Sequence, residues 1–156
     1  MTASSIPTMR AHRPDLQTGS LLLEAFIAIL IFSMGILAIV GMQTSAIKSS
    51  TDAKYRSEAS LLANELIGQM WVSDRTQATL QNNFQGGSGT DGAAYTNWYS
   101  TVRSALPGTV TYPPTVNIVP GANPATSVVT VVLQWKAPSD PPTDPAHRFT
   151  VTAQIQ

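Results

Sequence analysis

The 156-residue chain contains no cysteine, which excludes disulfide bridges, thiol nucleophiles and thiolate metal sites. The compartment stays open, because a periplasmic protein can do without disulfides. Histidine is nearly as scarce, with His12 and His147 the two in the chain. Charge is sparse at 12% of residues, and nine Lys plus Arg balance nine Asp plus Glu. No global field therefore draws the protein to nucleic acid or to anionic lipid. Proline is absent between Pro14 and Pro107, so nothing in that stretch forbids a continuous helix. There is no G-x-S-x-G, no H-E-x-x-H and no glycine-rich loop between a strand and a helix. Enzyme and cofactor templates thus find no purchase, and neither catalysis nor a cofactor is expected.

What the chain does have is one long apolar run. From Leu21 to Met42 nearly every side chain is apolar, and Glu24 is the one charged residue. Twenty-two helical residues rise ~33 Å, enough to cross a hydrocarbon core of ~30 Å. Arg10 and Arg13 precede the run and Lys48 lies well beyond it, which favours a cytoplasmic N-terminus. A secretory signal peptide fits less well, since its apolar region spans only ~7–15 residues. Residues 1–19, MTASSIPTMRAHRPDLQTG, are polar and aperiodic. The compact basic part of this leader, MRAHRPDLQTG, starts at Met9, which is expected as an alternative translation start.

Beyond the apolar run the pattern turns amphipathic. Ala59, Leu62, Ala63, Leu66, Ile67 and Met70 recur at three- and four-residue steps, with Trp71 adjoining. Lys54, Arg56, Glu58, Asn64, Glu65 and Gln69 fall mostly on the other side. This predicts a single helix from about Leu21 to about Asp74, membrane-soluble in its first half and with one buried stripe in its second. Residues 76–93 read as loop by their Gly, Asn and Gln content. Tyr95, Trp98, Tyr99, Val102 and Leu106 mark a short amphipathic helix stopped by Pro107-Gly108. Two strands follow, with Val129, Val131, Leu133 and Trp135 on one buried face, and Phe149, Val151, Ala153 and Ile155 on the other's. The proline-rich loop APSDPPTDPA joins them. Thr109 to Val119 reads as a weaker edge strand, limited by Pro113 and Pro114. The expected class is α+β: a long protruding N-terminal helix packed on a small antiparallel sheet. It divides into a leader (1–19), a membrane helix (20–44) and a head (45–156), whose amphipathic helix half is 45–75.

Glu24 poses the functional question. A charged group at the centre of a membrane costs ~2.5–3.5 kcal/mol on insertion scales, and Glu24 enters the apolar run near its start. One reading lets the carboxylate reach headgroups and water from the first turn. The other gives it a cation from a second molecule, because no basic residue lies within the apolar segment. Cleavage after Gly19 would expose the α-amino group of Ser20, and that amine on one subunit could pair with Glu24 of its neighbour. Inside a dry bundle such a pair is far stronger than at a surface, and it fixes register.

Basic Arg10 and Arg13, then Gly19, then Ser20-Leu21-Leu22-Leu23, then Glu24 at the head of an apolar helix together resemble the class III signal of type IV pilins. The stretch Ser33-Met34-Gly35-Ile36-Leu37 with Gln43, followed by Arg56-Ser57-Glu58-Ala59-Ser60-Leu61-Leu62-Ala63, is similar to the PilV group of minor pilins. So are the Trp98 helix ending in LPG and the late VTVVLQW strand. The resemblance covers residues 20–75 strongly and the head loosely.

It implies several roles. Prepilin peptidase would cut between Gly19 and Ser20 on the cytoplasmic side and methylate the Ser20 amine. Glu24 would aid methylation and dock onto a neighbouring N-terminus. The partners would be that peptidase, other minor and major pilins, an inner-membrane assembly platform and membrane lipid. The chain would pass from the inner membrane to a pilus at the surface of a Gram-negative bacterium. It departs from the family pattern in having Ser20 and Leu21 where Phe and then Thr or Ser are usual. It also lacks the proline that major pilins carry near Gly41. Gly35 and Gly41 can loosen the helix there, each by up to ~1 kcal/mol relative to Ala, or can let neighbouring helices approach closely. The same N-terminal grammar occurs in minor pseudopilins of type II secretion. A bitopic anchor carrying a periplasmic sensor or enzyme is the alternative of a different class.

The remaining residues invite blander readings. His147, beside Arg148, reads as a surface histidine. Asp140 and Asp144 lack the alternating oxygen ligands of a calcium loop and read as solvated turn residues, so no metal site is expected. Trp98, Tyr99 and Trp135 sit at helix and strand periods and read as core. Loss of Arg10, Arg13 and Asp15 with the leader leaves seven Lys plus Arg against eight Asp plus Glu. That balance argues against a nucleic-acid partner.

Overall fold

The computed structural model describes residues 18–123 and 125–156, and of Thr18 and Gly19 only the backbone. The expectations placed on Met9, Arg10, His12 and Arg13 lie outside these residues. The elements are α1 (Thr18–Val72), α2 (Gln77–Phe84), α3 (Ala93–Ala105), β1 (Thr115–Pro120), β2 (Ser127–Trp135) and β3 (His147–Ile155). The class is α+β: a long N-terminal helix and one small antiparallel sheet. The chain divides into two compact units, Met1–Thr44 and Ser45–Gln156.

In the C-terminal unit the core gathers where the apolar periods meet. Ala59, Leu62, Ala63, Leu66, Ile67 and Met70 of α1 are buried in one cluster with residues of α2, α3 and the sheet. Trp71, which adjoins the stripe, stays 41% exposed. It follows Met70 by ~100° around the helix, which turns it off the buried face. The indole Nε1 of Trp98 donates to the Leu62 carbonyl at 2.9 Å, tying α3 to α1 inside the core.

The sheet is a meander, β1-β2-β3, with both pairings antiparallel. Its register sets Val131 opposite Val116 and Val151, and Val129 opposite Ile118 and Ala153. The period-2 alternation thus lands on one face, as pleating requires. Val132, on the other face, is also buried, between Thr115 and Thr150. β1 is shorter than expected. Residues 109–114 turn instead, with Thr111 and Tyr112 donating to the Gly108 carbonyl, and the strand begins only after Pro113-Pro114.

The expected loop over 76–93 is corrected by α2. Its Leu80 and Phe84 are one turn apart and both join the core, a spacing that Gly and Asn content conceals. The start of α2 is held by Asp74: Oδ1 accepts the Thr76 N–H at 3.0 Å, and Oδ2 accepts the Thr79 hydroxyl at 3.1 Å. The Thr76 N–H, with the Thr79 hydroxyl next, holds the Asp74 carboxyl below its ordinary range. After α2 the chain passes through Gly86, which makes an antiparallel bridge to Val116 on the outer edge of β1. Tyr95 of α3 lies where a Gly86 side chain would go, and its hydroxyl donates to the Pro114 carbonyl at 2.6 Å. Burial, with Asp91 and Tyr99 acting in the same direction, pushes the Tyr95 phenol above its ordinary range.

Candidate functional site

The N-terminal unit contributes helix and nothing else among the described residues. From Ser20 to Ser50 every residue is exposed, including Phe26 at 68% and Leu37 at 76%. Its length and composition suffice to cross a membrane. A helix apolar on all sides and exposed over its described residues presents a surface of the kind that lipid or another molecule covers. Hydroxyls along it turn inward to the backbone: Ser33 Oγ donates to the Ile29 carbonyl at 2.7 Å, and Thr44 Oγ1 to the Val40 carbonyl at 3.0 Å. Such back-bonding lets a hydroxyl sit in an apolar medium without an orphaned donor.

On this surface Glu24 is the sole ionisable side chain between Ser20 and Lys48. It shares a shallow groove with Ser20, Leu23, Ile27, Ala28 and Ile31. At ~100° per residue, Ala28, Ile31, Gly35, Ala38 and Met42 all fall within ~40° of it. The carboxylate therefore heads a stripe of small and medium side chains. The Gly19–Ser20 peptide bond lies in the first turn of α1, one turn before Glu24.

Gly35 lies on the Glu24 stripe and Gly41 about 100° away from it. A Cβ added at either would meet nothing within 4 Å. Packing within the chain thus gives neither glycine a reason to be there. Gly41 and the back-bonded Thr44 sit where the two units meet in sequence.

The head holds a second constellation, and two readings of it need correcting. His147 is a half-buried member of a cluster rather than a free surface residue. Its ring stacks on Trp135 with centroids 5.6 Å apart and planes at 11°. Nε2 lies 3.2 Å from Asp140 Oδ2, and Nδ1 lies 3.1 Å from Asp52 Oδ1. Asp140 is likewise more than a solvated turn residue, since its Oδ2 also accepts the Ala137 N–H at 2.8 Å. The cause is register: β2 and β3 pair Trp135 with His147, which brings the ring over the indole and next to α1. Asp144 meets the chain through its carbonyl, which accepts from Lys136 Nζ at 2.9 Å. Trp98 and Trp135 are core, as read, and Tyr99 is partly so. Asp52, on the polar side of α1 and 95 positions before His147, carries no sequence signal of this pairing. Among the described residues no group of three His, Cys, Asp or Glu is arranged to hold a metal ion. No protein-family model, curated protein or solved structure matches the chain.

Proposed function

We propose that the chain is a minor pilin of the PilV kind, a structural subunit that acts by assembly and not by catalysis. It would enter the inner membrane, lose residues 1–19 to prepilin peptidase, and join other pilins to prime or enter a type IV pilus. One observation carries the reading: Glu24 is the sole ionisable side chain on the stretch of α1 from Leu21 to Ile47, which is exposed throughout and long and apolar enough to cross a membrane. Lipid can cover the apolar side chains, and a cation from a neighbouring molecule can compensate the carboxylate where it leaves water. Cleavage after Gly19 would create such a cation on every subunit, one helical turn before Glu24. A small-residue stripe around Gly35 lets a neighbouring helix come close enough for the pair to form out of water. The head, whose core closes within residues 45–156, is then free to select partners.

Two variants separate the steps. Gly19→Leu puts a bulky side chain at the cut site, so the protein should accumulate at full precursor mass in the membrane. Glu24→Ala leaves the cut site intact, so the protein should be processed, retained in the membrane and missing from sheared filaments. Intact-mass spectrometry of both fractions reads the outcome. Wild-type incorporation of Glu24→Ala would make the carboxylate a residue tolerated near the headgroups. Retention of residues 1–19 in the mature wild-type protein would favour a bitopic anchor instead. Incorporation into a secretion pseudopilus in place of a pilus would assign the same chemistry to type II secretion.

A further inference from the structure

We propose that His147 is a charge-operated latch, whose imidazolium form ties the β2–β3 loop to α1 and whose neutral form releases it. The site lies wholly within the head, and the inference stands apart from the assembly chemistry of Glu24.

Both ring nitrogens of His147 face carboxylate oxygens, Asp52 Oδ1 at 3.1 Å and Asp140 Oδ2 at 3.2 Å. A neutral imidazole has one N–H and one lone pair, whichever tautomer it adopts. In that form the ring carries no charge and only one nitrogen has a proton, so the other stands beside a carboxylate oxygen with nothing to offer it, and that contact is unfavourable. The imidazolium carries an N–H at each nitrogen and is attracted on both sides. Asp52 Oδ1 makes the requirement sharper, because it is buried and has no hydrogen-bond donor. Its contact with Nδ1 is therefore one of charge, and a carboxylate oxygen buried without a donor is costly unless a cation stands beside it. The third neighbour, Trp135, presents its face to the ring at 5.6 Å, a geometry that favours a cation over an uncharged ring.

The three contacts come from three parts of the head. Asp52 belongs to α1, Trp135 to β2, and Asp140 to the loop that leads into β3. Asp140 is itself anchored, since the same Oδ2 takes the Ala137 N–H. Other charges face the cluster. Lys48 lines the recess from α1, and Arg56 stands 3.8 Å from the second oxygen of Asp52. Lys136 is committed to the Pro142 and Asp144 carbonyls at 2.8 and 2.9 Å. Arg56 and Asp52 are well exposed at their contact, so that pair is weak and does not substitute for the ring. Once the ring is neutral, the recess of about 260 Å³ admits water to both carboxylates, and separation of loop from helix becomes the favoured arrangement.

The absence of cysteine makes the test direct. Spin labels on Ser49→Cys and Ser139→Cys, both lining the recess, report the helix-to-loop distance in the full chain in detergent micelles. Ring nitrogen NMR of the His12→Gln chain, in which His147 is the sole histidine, reports the ring's charge. The latch predicts a short, narrow distance distribution near pH 5 and loss of that population near pH 8, the range over which imidazoles ordinarily change charge. Asp52→Asn, a substitution at a helix-surface position, should abolish the pH response, and His147→Gln should lack the short population at both values. The latch is overturned by short distances at both pH values in the parent, by a response that survives Asp52→Asn, or by a ring whose charge does not change between them.

Discussion

One substitution, glycine to alanine, should have opposite signs at different places in this chain. At Gly35 and Gly41 the new methyl meets nothing within 4 Å, so no clash offsets the gain in helix propensity of ~0.8–1 kcal/mol per site. At Gly86 the methyl would overlap Cγ and Cδ1 of Tyr95 and stand 2.7 Å from Cδ2. The ring has no room to yield: Tyr95 is 1% exposed and its hydroxyl is held on the Pro114 carbonyl. Overpacking of a tight core costs ~1–3 kcal/mol, and a disturbed buried hydrogen bond adds ~1 kcal/mol, so Gly86→Ala should lose roughly 2–4 kcal/mol. Urea unfolding of the full chain in detergent, followed by near-ultraviolet circular dichroism of the head aromatics, measures it. A Gly86→Ala head within ~0.5 kcal/mol of wild type would refute the close approach of Tyr95 to the backbone. The stabilised Gly35→Ala and Gly41→Ala chains then test assembly. If the glycines admit a neighbouring helix, incorporation into filaments should fall with side-chain volume, Leu far below Ala. If they loosen α1, Ala and Leu should impair it alike, because both are strong helix formers. Equal wild-type incorporation of all four variants would remove both roles.

Three further outcomes are expected. Trp98→Phe deletes the indole N–H that reaches the Leu62 carbonyl and should cost ~1–3 kcal/mol by urea unfolding, the lost hydrogen bond plus a small void. Asp74 is held below its ordinary range by the Thr76 N–H first and the Thr79 hydroxyl second, so its contribution is present above the unfolded value and lost as pH falls through the folded one. Asp74→Asn should flatten that acid limb and speed hydrogen exchange at Leu80, whose N–H bonds the Thr76 carbonyl. A chain beginning at Ser45 should be a soluble, cooperatively folding monomer, since the core cluster begins at Ala59. Removal through Ala78 should expose the sheet face and aggregate it, and an equally soluble, cooperative product would show that α1 does not cover the sheet.

How much could be read from the sequence depended on how far each residue's partner lies along the chain. The α1 stripe was legible because Ala59 to Met70 repeat at helical spacing and are all buried. β2 and β3 were legible because alternation needs only the strand itself. α2 was not, since Leu80 and Phe84 are a single apolar pair in a polar segment, and their helix stands on tertiary burial that no local pattern shows. The His147 cluster was less legible still. It requires the β2–β3 register to set the ring on Trp135, then a packing angle that delivers Asp52 from α1. Glu24 is the limiting case. Its sequence context made it conspicuous, yet its surroundings among the described residues are solvent-facing and mostly apolar, with no cation among them. A carboxylate on a helix long and apolar enough to cross a membrane, with no cation beside it among the described residues, is met either by headgroups and water near the helix start or by a cation from another molecule. Variants that alter the carboxylate without altering the head are therefore the ones that test what meets it.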